Sequence, residues 1–407
     1  MAEEISSLLL PKSISARNEK DCTTLPVVFV EGNGSSYSGV VFNVTTSIIG
    51  GGIMSIPATL QVLGIVPALM LIVIVAIFSE ISADFLLRFT VRNTTYAGLM
   101  RESFALAGSF LLQICVIITN LGCLIIYLIV IGDVLSGTGG KLEQGRSAHM
   151  GILLEWFGTH WWYSRKFSML FIIVFVMLPL VLLKRIESLR QENDRKTPTS
   201  QRFIFFEAFH GIHPIRAELN KPSDMTSAIR ISLVICIAIY SVVGISGYQL
   251  FGDSTMSDIL SNFDENFSSS TNTWILTDIL RLSYAIHLML VFPILNFPLR
   301  VNIDELFFPT PKWPPLSTHQ ARFVLITCFL LLIVYVAAVV IPNIWYFFQF
   351  IGSTTSLCVA FIFPCAIVLR DYHGVATRRD KVLAVLMITL AVVASSIAIF
   401  SDVITII

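Results

Sequence analysis

The sequence predicts an all-α polytopic membrane protein. Three observations carry this: a composition that is 55% hydrophobic and 13% charged, apolar runs of bilayer length, and positive charge gathered in alternate connections. Soluble globular chains carry about 25% charged residues, and the mean hydropathy here is +0.78, so a water-soluble fold is excluded. A helix crosses the hydrocarbon core with about 20 apolar residues. Nine runs near or above that length cover residues 40–64, 66–89, 111–135, 167–183, 229–250, 274–297, 323–341, 344–369 and 382–399. They are apolar on every face, whereas barrel strands alternate apolar and polar residues, which excludes a barrel.

Charge placement sets the sidedness. Eight basic residues (Lys184, Arg185, Arg190, Arg195, Lys196, Arg202, Arg216 and Lys221) fall in one connection, and none falls between Gly252 and Thr273. Positive connections stay cytosolic, so the first is inside and the second outside. Counting spans outward places the N-terminus inside and the C-terminus outside. Arg92 and Arg101, Arg300 and Lys312, and Arg370, Arg378 and Arg379 then also fall inside. One connection disagrees: 136–166, assigned outside, holds Lys141, Arg146, Arg165 and Lys166. The chain divides into a cytosolic tail (1–38), four spans (39–183), a basic cytosolic segment (184–224) and five further spans (225–407).

The tail is polar and mixed in charge, unlike a signal peptide, so the first span itself directs insertion. Within it, Glu4, Ile5, Ser6, Ser7, Leu8 and Leu9 fit the acidic dileucine pattern of endosomal and vacuolar sorting. Of seven cysteines, all but Cys22 lie in apolar runs and read as small buried hydrophobes; no disulfide is expected. No metal-binding HExxH helix, nucleophile elbow or phosphate-cradling loop is present. No enzyme activity, cofactor, metal or nucleic acid is expected, since the one basic segment is juxtamembrane and topology accounts for it.

The most informative segment is SIIGGGIMSIP, residues 47–57, in the middle of the first run. Gly costs about 1 kcal/mol and Pro about 3 kcal/mol in a helix relative to Ala, so Gly50, Gly51 and Gly52 followed by Pro57 predict an unwound stretch. Irregular backbone survives at membrane depth where it is buried in protein or lines a cavity. Amides at the start of a half-helix suit a carboxylate, and carbonyls at the end of the other half suit an ammonium or a cation: the two charges of an amino acid zwitterion. Close helix packing through small residues is the competing account.

Ionisable groups inside a membrane are functional candidates. Glu80, Asp84 and Arg88 lie four residues apart on one face of the second run, as acids tied to Arg88 or, for Glu80, as a proton relay. Asp278 and Arg281 read as a mutual pair. His287, nearer the centre of its run, has an ordinary pKa near 6.5 that suits proton coupling across an acidic compartment; a packing role is the alternative. Ser283, four residues earlier, offers a hydroxyl to a substrate. Ser353, Thr354 and Thr355 are expected to bond back to helix carbonyls.

FNVTTSIIGGGIMSIPATLQVLGI (42–65), HPIRAELNKPSDM (213–225), YQLFGD (248–253), FPILNFPLR (292–300) and IGSTTS (351–356) resemble, in order, the amino acid/auxin permease family, nearest its plant vacuolar branch and related to sodium-coupled neutral amino-acid transporters. The resemblance implies an inverted-repeat transporter fold, with substrate held between broken first and sixth helices. Gly50, Gly51 and Gly52 would then meet the substrate carboxylate, beside Thr46. Sodium-coupled relatives tend to have Asn where Thr46 stands, so the resemblance favours proton-coupled or facilitated movement over sodium coupling, in a vacuolar or endosomal membrane. The family has eleven spans against nine here. A fifth helix and most of a sixth belong where KRIESLR passes through QENDRKTPTSQR to FIFFEAFHGIHPI. Two readings follow: a shortened, transport-impaired chain, or a re-entrant segment at 203–215 that brings His210 and His213 to the site.

The topology is testable. In microsomes, the sequon at Asn266 should be glycosylated and that at Asn93 should not; a mobility shift that Asn266→Gln abolishes checks the assignment.

Overall fold

The computed structural model describes residues 37–90, 96–137, 151–158, 164–182, 224–256, 259–260, 262–263, 271–308, 316, 319–341 and 351–406. The sorting pattern at Glu4–Leu9, the sequons at Asn93 and Asn266, and nearly all of segment 184–224, where the shortening is expected and where His210 and His213 fall, lie outside them. The helices are α1 (Tyr37–Ile48), α2 (Ile56–Leu63), α3 (Ile65–Phe89), α4 (Tyr96–Ser136), α5 (Ile152–Phe157), α6 (Arg165–Leu182), α7 (Met225–Phe251), α8 (Thr271–Phe307), α9 (Gln320–Val340), α10 (Gly352–Arg370) and α11 (Arg378–Ile406). No strand occurs among the described residues.

Eight helices, α3, α4 and α6 to α11, are long and apolar enough to cross a membrane. The ninth predicted run is the broken one, split into α1 and α2. The protein is therefore an all-α polytopic membrane protein. Its outer faces carry large apolar side chains such as Val66, Leu325 and Val382, each about 70% exposed, as lipid contact requires. Hydroxyls along the spans turn back to their own helices: Ser79 to the Val75 carbonyl, Thr327 to Phe323 and Thr389 to Val385, which satisfies them without water.

Two apolar cores form. One gathers α1, α3, the first part of α4, α7, α10 and α11 around Phe85, Leu99 and Phe363. The other gathers the rest of α4 with α6, α8 and α9 around Leu128, Phe292 and Val334. The 41-residue α4 belongs to both and joins them. It is not straight: at Phe104 (φ −129°, ψ 20°) and Ala105 (φ 56°, ψ −154°) the helical path breaks, separating an interfacial segment from the span. A Cβ at Gly108 would stand 2.5 Å from the Phe104 Cβ, so glycine lets the two segments close.

Polar contacts, all but Arg88–Asp84 within α3 running between elements, join ends that the charge pattern places on one side. Inside are Arg88 with Asp84 (2.7 Å) and Asp380 (3.3 Å), Arg230 with Glu80 (2.6 Å), and Arg322 with Asp304 (2.9 Å). Outside are Arg165 with Asp133 (2.5 Å), the Trp156 indole donating to Asp278 (2.8 Å), and Gln61 donating to the Asp253 carbonyl (2.5 Å). The Asp133 partner neutralises Arg165, one of the four basic residues on the outer connection that ran against the charge rule.

α2 and α7 approach closely because α7 has glycine at the contact. A Cβ on Gly244 would lie 2.8 Å from Ile56 Cγ2, and one on Gly247 would lie 2.6 Å from Pro57 Cγ. Gly247→Leu should therefore overpack this seam and cost about 1–3 kcal/mol, read as a lower thermal midpoint of the full chain in detergent.

Candidate functional site

α1 ends where the glycines begin. Its last α-type hydrogen bond runs from the Ile49 amide to the Thr45 carbonyl (3.1 Å), and the Gly50 amide already turns to Ile48 (2.9 Å). Gly50 is extended (φ −109°, ψ −160°). A 3-10 turn then runs over Gly51–Ser55, opened by the Ile53 amide on the Gly50 carbonyl (3.3 Å). α2 starts with Pro57 in its first turn, where the missing N–H and fixed φ of proline are harmless. Two half-helices thus meet head to tail. The C-terminal carbonyls of one and the N-terminal amides of the other are brought to one level, where each half presents backbone groups its own helix leaves unsatisfied.

Close packing does not explain Gly52. A Cβ built on Gly52 meets nothing within 4 Å, so the site there is open, and the seam that needs small residues is on α7. That open backbone supports the binding account of the break over the packing account.

α7 lies along the break and supplies one donor per turn. Ser232 donates to the Val41 carbonyl (3.0 Å), the Cys236 thiol sits 3.7 Å from the Thr45 carbonyl, and the Tyr240 hydroxyl donates to the Ile48 carbonyl (2.7 Å). Their spacing of four residues holds one face of α7 against the end of α1. Thr45 is buried, and its hydroxyl oxygen has no partner among the described residues. It borders an apolar cavity of about 530 Å³ that includes Val41, Phe42, Ile49, Ile231 and Ile235.

The predicted site residues fall in three places. Gly50, Gly51 and Gly52 form the break, and Thr46 is in the last turn of α1, its side chain outside the described set. Glu80 is on α3, ion-paired with Arg230 of α7 rather than with Arg88, which takes Asp84 and Asp380. Ser283 and His287 are on α8, which packs chiefly on α4. The Ser283 hydroxyl is given to the Leu280 carbonyl (2.8 Å), and the half-buried His287 ring lies beside Tyr284, centroids 6.5 Å apart. The described contacts gather α7 at the break, not Ser283 or His287. Thr355 does bond back, to the Ile351 carbonyl (3.5 Å), and also receives the Thr119 hydroxyl (2.8 Å). Ser232, Cys236, Tyr240 and Thr45 escaped the sequence reading. The regular spacing of three polar groups in an otherwise apolar run was the signal that marked the first three.

An all-helical membrane bundle whose first span breaks at glycine, with unwound backbone at mid-depth, has the layout of a secondary transporter. The family described as "Transmembrane amino acid transporter protein" matches residues 33–192 and 203–407, and the chain belongs to it. Two Arabidopsis thaliana proteins, named amino acid transporter AVT6C and AVT6D, are each 44% identical to it. The first alignment covers 99% of this chain and 98% of the relative, the second 92% and 94%. A Rattus norvegicus protein named solute carrier family 38 member 10 is 25% identical over 85% of this chain and 34% of its own length. These relatives are named as transporters, and nothing points to an enzyme. The first alignment runs over 447 positions against 407 residues here, so at least about 40 of its positions have no residue in this chain.

Tyr240→Phe should remove one of the two donors to the Ile48 carbonyl, which keeps the Gly50 amide. A loss of about 0.5–1.5 kcal/mol is expected, read as a lower thermal midpoint in detergent. Ser232→Ala should cost less, because the Ser232 hydroxyl is shared with its own Ala228 carbonyl.

Proposed function

We propose that this chain carries amino acids across a membrane, with the substrate seated at the break of the first helix. The observation that carries this is the open glycine backbone at Gly52 between two half-helices of opposite terminal polarity. Amides of Gly51 and Gly52 would take the carboxylate, and carbonyls at the end of α1 would take the ammonium, with Thr46 beside them. Tyr240 already holds the Ile48 carbonyl, which fixes one wall of the seat and leaves the others to the substrate.

Proton-coupled or facilitated movement fits better than sodium coupling, given Thr46 in place of the Asn of sodium-coupled relatives. His287 is the titratable group proposed for the proton, and Ser283 is proposed as a further substrate contact reached on rearrangement. Glu80, paired with Arg230, is the second group proposed for the proton. The dileucine pattern and the resemblance support a vacuolar or endosomal membrane.

A second reading rests on the missing positions. The family match is interrupted at 193–202, within the basic segment where a fifth helix and most of a sixth are expected. If the absent stretch belongs there, half of the substrate seat is gone, and the protein is a transport-inactive member with a regulatory role or none of its own.

Uptake of a radiolabelled amino-acid mixture into proteoliposomes with an imposed pH gradient separates the two. The carrier reading expects uptake that Gly51→Leu, which refills the break with a helix former, lowers at least about tenfold, the order of loss from misplacing a bound group. Absence of uptake by correctly inserted protein would establish the second reading.

A further inference from the structure

On the side where positive charge collects, the turn of α4 and the end of α10 enclose a pocket of about 400 Å³ formed by Arg101, Glu102, Ser103, Phe104, Arg370 and Tyr372. Four basic groups on this face have acidic partners: Arg88 with Asp84 and Asp380, Arg230 with Glu80, Arg322 with Asp304, and Lys381 with Asp371 at 3.0 Å. Among the described residues, neither Arg101 nor Arg370 is in an ion pair. The pocket's one acid, Glu102, lies 3.5 Å from the His373 ring. Two guanidiniums against one carboxylate leave the pocket with a positive excess, and the fork of donors on an arginine matches phosphate oxygens. Tyr372 adds a hydroxyl.

What adjoins the pocket narrows the source of that phosphate. One turn into the span, Leu106 and Phe110 share a face of α4 and are 67% and 53% exposed; Leu369, next to Arg370, is 37% exposed. An apolar wall thus continues from the basic pocket toward the hydrocarbon. Soluble anions have no use for such a wall, whereas a lipid needs both parts.

We propose that this pocket binds the phosphate-bearing headgroup of an anionic phospholipid from the cytosolic leaflet, with an acyl chain lying along Leu106 and Phe110. A soluble organic phosphate presents the same headgroup chemistry without the chain, and the test separates the two. The site stands apart from the break in the first helix and does not depend on the transport reading.

The probe is a short-chain phosphatidylinositol phosphate titrated into the full chain in neutral detergent, with the matching phosphatidylcholine and the free inositol phosphate headgroup as comparisons. The expected result is tight binding of the anionic lipid, with weaker binding of both comparisons. Arg101→Gln and Arg370→Gln should each weaken it about fivefold, the strength of one basic residue at an anionic leaflet. Glu102→Gln removes the countercharge and should tighten it by a similar factor; since it deletes no arginine, it keeps the test open if either arginine variant misfolds. Equal binding of phosphatidylcholine, or an affinity unmoved by Glu102→Gln, overturns the proposal. Free headgroup binding as tightly as the lipid overturns the lipid assignment in favour of a soluble phosphate ligand.

Discussion

Hydrocarbon offers no water to a freed carbonyl, and this constraint organises the bundle. In α1 and α10, where the helix departs from the regular ladder, a side chain of another helix donates to a displaced carbonyl. At the end of α1 the Ile48 carbonyl accepts the Tyr240 hydroxyl of α7 beside the Gly50 amide. Two π-helical turns in α10, Gly352–Ser356 and Cys358–Ile362, displace further carbonyls, and Val359 and Ala360 receive the hydroxyls of Tyr96 on α4 and Ser82 on α3. π turns are frequent at functional positions because they free backbone groups inside a helix. Each cap also fixes which helices must be neighbours.

The same caps decide what moves with what. α7 grips α1 through three carbonyls and α2 through the Gly244 and Gly247 seam, so both halves of the broken span are registered against one continuous helix. α8, with Ser283 and His287, belongs to the other core and packs chiefly on α4. The break is therefore walled on one side by α7.

Charge works at the ends of the spans rather than along them. Arg88 bridges α3 to α11 through Asp380, Glu80 ties α3 to α7 through Arg230, and Asp133 neutralises Arg165 at the opposite surface. Just outside the spans, the Asp371 carboxyl is held below its usual range, first by the Ala376 amide and then by Lys381, so it stays ionised and shapes the turn before α11. Among the described residues, Arg101 and Arg370 line a pocket instead of meeting an acid.

Composition and local chemistry alone determined the all-helical membrane fold, the nine runs, the sidedness expected of them and the place of the break. Each of those depends on residues close in the chain: twenty apolar positions in a row, arginines in one connection, three glycines before a proline. Tertiary structure decided the rest. Tyr240 meets Ile48 across 192 positions, Tyr96 meets Val359 across 263, and Glu80 turns to Arg230 across 150. Hydropathy is blind to such pairings, because a tyrosine facing a freed carbonyl and one facing lipid look alike in sequence. The turn at Phe104 and Ala105 was equally hidden: no glycine or proline marks those two positions, and the bend exists because α4 must leave the interface and enter the bilayer between two separate cores.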